Sequence, residues 1–166
     1  MTLATHVIIA GAVIAPIAAN APLPIVFMIG VATHYLSDAI PHYDYPLRSA
    51  KQERAEVLHI ELTPTPKNIT IDLLKIGLDA TLGIAVTLYL SQSFTPQTAL
   101  PYLVAATGAI LPDALQSVYW FWRKSPMHEI KVCHDFFHAK HRLKKDLLGI
   151  GSQLLILLGS MLLLAH

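Results

Sequence analysis

This chain of 166 residues has little charge and almost no cysteine. Cys133 is its single cysteine, which excludes a disulfide scaffold and a cysteine-rich structural zinc site. Charged side chains make up only 14% of the residues, against about 25% in a typical soluble domain. The formal net charge is +1, too small for a basic nucleic-acid-binding surface, so no nucleic-acid partner is expected. Low charge together with 54% apolar residues also excludes intrinsic disorder. Against these shortages stand a mean hydropathy of +0.50 and nine histidines. The first points to an integral membrane protein and the second to a chemical task.

Five apolar segments approach the 17–25 or so residues that a bilayer requires of a helix. They are residues 3–19, 23–40, 71–90, 98–122 and 147–165. Proline punctuates the links: Pro16, Pro22 and Pro24 in the first, Pro41 after the second, Pro64 and Pro66 before the third, Pro96 and Pro101 around the start of the fourth. Thr70 is the expected cap of the third helix. Residues 1–21 lack the basic start of a signal peptide and contain His6, so they read as a span. The fifth segment carries no charge after Asp146, and the chain is too small to bury it in water. The expected fold is all-α, a polytopic bundle of about five transmembrane helices in a single domain over 1–166. All twelve Lys and Arg fall in the links 41–70 and 123–146 or, for Lys75, close to the start of span three. The positive-inside rule therefore places the N-terminus and both long loops in the cytoplasm, in a multi-pass plasma-membrane protein.

An internal repeat of helix pairs is also expected. Phe27–Ile40 aligns with Tyr102–Leu115, which equates Asp38 with Asp113, and His6–Val13 aligns with Asp79–Val86. The units would be 1–68 and 69–142, followed by the C-terminal helix 147–165. Chance similarity between helices rich in Ala, Ile and Leu is the competing explanation.

An ionisable residue within a membrane helix costs about 2.5–3.5 kcal/mol on insertion scales, so it is read first as functional. His6, His34, Asp38, Asp79 and Asp113 all fall in such segments. At a rise of about 1.5 Å per residue they share one layer on the cytoplasmic side. His34 and Asp38 are four apart, on one helix face, and His42 and Asp44 follow Pro41 at its mouth. Imidazole and carboxylate suit Zn, or Mn or Fe, in a catalytic site. A metal would also partner the buried carboxylates. Each residue alone has a structural explanation as a satisfied polar group or a helix cap. His134, His138 and His141 fall on one helical stripe, with His128 upstream, and add further candidate ligands. A basic helix lying on anionic lipid would explain the neighbouring lysines and arginines but not the histidines. The metal candidates are therefore His6, His34, Asp38, Asp79, Asp113, His134, His138 and His141, around one to three divalent ions.

These residues carry two resemblances. Thr33-His34-Tyr35-Leu36-Ser37-Asp38, followed by Pro41-His42, resembles a stretch of zinc-dependent phospholipase C and the related single-strand nucleases. Those are all-α proteins with a trinuclear zinc cluster. The spacing from Asp38 to His42 is shorter than theirs, and their N-terminal residue is a ligand, whereas here Met1 precedes His6. Over most of the chain the motifs are similar to those of bacterial membrane-bound metal-dependent hydrolases. The matching elements are Thr5-His6, His34…Asp38 and Gly108-Ala109-Ile110-Leu111-Pro112-Asp113. Their order along the chain differs, and His138-Ala139-Lys140-His141-Arg142 is only a loose counterpart of that family's histidine stretch. The second resemblance implies His6, His34, Asp38 and Asp113 as ligands.

The expected function is metal-dependent hydrolysis of a phosphoester or lipid-linked substrate at the cytoplasmic face, with membrane lipid as the surrounding partner. Asp38, Asp79 and His42 are the catalytic candidates, with Asp38 or Asp79 as general base. Lys140, Arg142 and Lys144 would hold an anionic head group, such as that of an anionic lipid or phosphoester. Two alternatives use the same residues. One is a membrane di-iron oxidase or desaturase, whose histidine boxes His134-Asp135-Phe136-Phe137-His138 and His141 partly resemble. The other is a non-enzymatic metal-binding membrane protein. Transport is disfavoured because the ionisable residues cluster at one depth. The sequence does not speak to the oligomeric state.

Overall fold

The computed structural model describes residues 1–52, 60–62, 64–138 and 146–166. Among these residues the fold is all-α, with six helices: α1 (Leu3–Ile14), α2 (Leu23–Asp38), α3 (Pro66–Leu90), α4 (Pro96–Phe121), α5 (Met127–Phe137) and α6 (Asp146–Leu164). A short antiparallel ribbon, β1 (Ala50–Gln52) with β2 (Ile60–Leu62), is the one departure, and it lies in the link before α3.

Three helices, α3, α4 and α6, are long and apolar enough to cross a membrane. The other two expected spans are shorter apolar helices. Pro16 ends α1 in a single 3-10 turn, and the Pro22–Pro24 link starts α2 afresh. α1 is the central helix. Thr5 to Ala12 are buried without interruption, so its sequence has no polar face to offer water. α2, α3, α4 and α6 all pack against it. Ile8, Ile14, Val26, Tyr102, Ala105, Ala109 and Leu164 form the core. The outward faces of α3 and α6 keep large apolar side chains exposed, including Leu74, Leu78, Leu155 and Leu163. A water-soluble protein would cover so wide a surface, whereas lipid tolerates it.

The long helices begin by local chemistry. Thr65 caps α3, its hydroxyl accepting the Asn68 N–H, and Pro66 takes the first helical position, where its missing N–H costs nothing. This cap lies five residues before the expected Thr70, whose hydroxyl instead donates to the Pro66 carbonyl inside the helix. Thr95 and Thr98 form a reciprocal capping box at the start of α4.

α2 crosses α4 closely because both carry glycine at the contact. A Cβ on Gly30 would stand 2.3 Å from the Ala105 carbonyl oxygen, and one on Gly108 would stand 2.3 Å from that of Phe27. Gly30 and Ala105 are positions that the repeat alignment equates, as are Asp38 and Asp113. The crossing brings the polar ends of α2 and α4 together.

Candidate metal centre

Each element delivers its ligand groups to one end of the bundle. α1 supplies His6 in its first turn, and α2 supplies His34 and Asp38 in its last two turns. α4 supplies Asp113 just after Pro112, and α5 supplies His134. The segment 41–49 folds back over this end and carries His42 and Asp44. Its position is fixed from two sides. Asp72 of α3 accepts the backbone N–H groups of Arg48 and Ser49 and the Ser49 hydroxyl at 2.7–3.0 Å. On the other side, α6 donates the Ser152 hydroxyl to the Pro41 carbonyl and accepts the Tyr43 N–H on Gln153.

Asp38 is the centre, with a relative exposure of 1%. Four imidazoles surround it, those of His6, His34, His42 and His134, and the first three have already used the Nδ1 hydrogen. His34 Nδ1 donates to the Ala109 carbonyl at 2.7 Å. His42 Nδ1 donates to the Ile40 carbonyl at 2.7 Å. The Ser37 hydroxyl donates to the His34 carbonyl, so it accepts from His6 Nδ1 at 2.9 Å. A neutral imidazole with hydrogen on Nδ1 leaves a bare lone pair on Nε2. All three lone pairs face the same carboxylate. His6 and His42 Nε2 lie 3.2 and 3.6 Å from Asp38 Oδ1, and His34 Nε2 lies 3.3 Å from Oδ2. His6 Nε2, His42 Nε2 and Asp38 Oδ2 have no hydrogen-bond partner although buried. Lone pairs packed against a carboxylate without solvent repel one another unless a cation lies between them.

Among the described residues the geometry resolves two ligand groups. His34, Asp38, Asp113 and His134 offer atoms that all lie within 4.8 Å of one another, and so do Asp38, His42 and His138. Asp38 belongs to both, with Oδ2 toward the first group and Oδ1 toward the second. In the first, His34 Nε2 and His134 Nε2 are 3.3 Å apart, and Asp113 Oδ1 is 3.3 Å from His134 Nε2. These buried groups could hold a metal ion, and the shared carboxylate allows a second.

Charge around α5 follows the same arrangement. Burial disfavours the His134 cation, but Asp113 and Asp135 outweigh it and push the imidazole up to about 9. Burial takes His138 the other way, down to about 4, against the pull of Asp38 and Asp44. Burial also works against the charged form of Asp44, yet His42 and the Met1 nitrogen hold it below the usual carboxylate range.

Of the expected ligands, the fold brings His34, Asp38, Asp113, His134 and His138 into the two groups, while His6 packs beside Asp38 but belongs to neither. Asp79 stands apart from both groups. Its carboxylate accepts the Leu3 N–H at 2.7 Å, with Ala4 and the Tyr45 phenol also bonded to it, so it caps α1 from the neighbouring helix. The expected His134–His138–His141 stripe is interrupted, because α5 ends at Phe137 and His138 has extended backbone (φ −65, ψ 129). His138 still reaches the site, with its ring centroid 4.8 Å from that of His42. Lys140, His141, Arg142 and Lys144 lie outside the described residues. His128 packs near Tyr119 instead, with ring centroids 6.1 Å apart.

Four further contributors emerge, of which Asp44 is placed by the sequence at the mouth of the site without a role. Asp44 places Oδ2 at 3.3 Å from His42 Nε2 and 3.6 Å from His138 Nε2, and its position after Pro41-His42 was the available signal. Ser37 orients His6. Asp135 lies 3.9 Å from His134 Nδ1 and pairs with the fully buried Lys131 of the same helix. The Met1 nitrogen lies 3.0 Å from Asp38 Oδ1. No protein-family model, curated protein or solved structure matches the chain.

Proposed function

We propose that this protein is a membrane-embedded, metal-dependent hydrolase acting on a phosphoester or lipid-linked substrate at the cytoplasmic face. One observation carries the reading: three histidines with their Nδ1 hydrogens engaged elsewhere aim bare Nε2 atoms at one buried, shared carboxylate. His34, Asp38, Asp113 and His134 would hold one divalent ion. Asp38, His42 and His138 would hold a second. Nitrogen and oxygen donors without thiolate favour zinc, with manganese or iron as the other candidates. Such an ion supplies Lewis acidity, which makes water a usable nucleophile near neutral pH and offsets charge on a phosphoester oxygen.

The chain's own groups perform the remaining tasks. Asp44 is ionised at neutral pH and 37% exposed on its side chain, so it can orient water at the mouth of the site. Asp38 as a shared ligand, and Asp79 as the cap of α1, are both engaged, which leaves neither as a free general base. Lys140, Arg142 and Lys144 remain the proposed contacts for an anionic head group. The resemblance to membrane-bound metal-dependent hydrolases agrees with this assignment, and the one-sided distribution of Lys and Arg favours a cytoplasmic site.

The test is elemental analysis of protein purified in mild detergent without chelator, beside His34→Ala and Asp113→Ala. One or two equivalents of zinc or manganese, with the ion of the first group lost in both variants, together with turnover of a chromogenic phosphoester, is the expected result. Two irons would favour the oxidase. Well-folded protein that takes up no metal even after reloading would overturn the proposal.

A further inference from the structure

A groove of about 370 Å³ opens between α1, α3 and α6, within the range of about 300–1,000 Å³ typical of small-molecule sites. Its lining changes character along its length. Ile8, Val86, Leu157 and Met161 form the deep part, which is wholly apolar. Thr2, Thr5, Tyr43, Asp79 and Gln153 gather at one end. Along α6 the lining runs from Ile150 to Met161. Those positions span about 16 Å at the helical rise, close to one leaflet of a hydrocarbon core about 30 Å thick. Two of the three walls, α3 and α6, are helices long and apolar enough to cross a membrane.

The polar end adjoins the metal centre. Thr2 follows Met1, whose nitrogen is 3.0 Å from Asp38 Oδ1, and Tyr43 lies between His42 and Asp44. Gln153 Nε2 bonds the Thr5 and Thr2 hydroxyls at 3.0 and 3.3 Å, which builds a polar rim rather than leaving a bare apolar opening.

We infer that this groove holds one acyl chain of a membrane lipid, so that the lipid's head group meets the metal centre. The inference rests on the hydrolase reading and names its substrate class as an amphiphile with a hydrocarbon chain of about one leaflet's length. The polarity gradient matches such a molecule end to end. A water-soluble phosphoester would leave the deep apolar part empty, and the surrounding lipid would supply chains to fill it.

The experiment uses the full chain in phosphatidylcholine nanodiscs, with a lysophospholipid that carries a photoreactive group in its acyl chain. Crosslinked peptides are mapped by mass spectrometry. Labelling is expected to concentrate at Ile8, Val86 and Leu157. It should fall at least about fivefold in Leu82→Trp and Leu154→Trp, which fill the groove, and hold in Leu155→Trp on the outer face of α6. Equal labelling of Leu74 and Leu163, or no loss in the two filling variants, would reduce the groove to ordinary lipid contact and overturn the inference. Asp38→Asn, which removes the carboxylate common to both ligand groups, separates the two readings. Groove labelling that persists in this metal-depleted variant supports the lipid site independently of the metal. Metal-replete wild type without groove labelling refutes the lipid site and leaves the metal centre standing.

Discussion

The chemistry of the site turns on which nitrogen of each imidazole is already engaged. His6, His34 and His42 spend Nδ1 on Ser37, Ala109 and Ile40, and thereby point Nε2 at Asp38. Asp79 has the opposite assignment, and two variants separate ligand from cap. Asp79→Asn should lower thermal stability by about 0.5–2 kcal/mol, as loss of a helix cap does, and keep the full metal content. Metal loss in Asp79→Asn by elemental analysis would return it to the ligand set. Asp38→Asn should instead lose metal in both groups. His134 makes a pH prediction for chelator-treated protein. Its folded value of about 9 lies above the unfolded 6.5, so its contribution is fully present below about pH 6.5. It is lost as pH rises through about 9. A shift of that size is worth about 3 kcal/mol, and thermal unfolding followed from pH 6 to 10 should decline across this window. A flat profile would remove Asp113 and Asp135 as its charge partners. The i,i+4 pair His34–Asp38 was legible from spacing alone. The role of Asp79 was not, because capping α1 depends on a neighbour 76 positions away.

Helix geometry decides how closely the ligands approach. The α2–α4 crossing needs two glycines, and any side chain there pushes His34 away from Asp113. Gly30→Ala and Gly108→Ala should each destabilise the protein by about 1–3 kcal/mol through overpacking and weaken metal retention against a chelator. Gly77→Ala is the contrasting case. A Cβ there meets nothing within 4 Å, so the variant should gain up to about 1 kcal/mol from helix propensity and leave metal binding unchanged. Detergent unfolding curves of the three variants test both statements. Helix starts and stops were mostly readable from proline, whereas the threonine cap of α3 sits at Thr65 and not at the expected Thr70. The end of α5 was not, since residues 134–141 keep helical spacing past the point where the backbone turns extended at His138.

For the whole molecule, the bundle places the ligand groups of the described residues at one end, where α2 and α4 finish. Cys133 is exposed on α5, at this end, and is the sole cysteine. A membrane-impermeant maleimide should therefore label it in inside-out vesicles and spare it in intact cells. The reverse pattern would place the metal centre on the outer face. α3, α4 and α6 are long and apolar enough to cross a membrane, while the short α1 fills the middle as a core helix.

Composition and periodicity by themselves determined that the chain is helical, with helices long and apolar enough to cross a membrane, because apolar content and segment length answer directly to what a bilayer requires. They also placed His6, His34, Asp38, Asp79 and Asp113 at a common depth, because depth in a helix is a count of residues. Only the tertiary structure decided which of the polar residues meet. Depth leaves the direction around each helix open, and that direction is set by packing between helices distant in sequence. The Gly30–Gly108 crossing turned Asp113 toward His34, the fold-back of 41–49 brought in His42 and Asp44, and the first turn of α1 claimed Asp79.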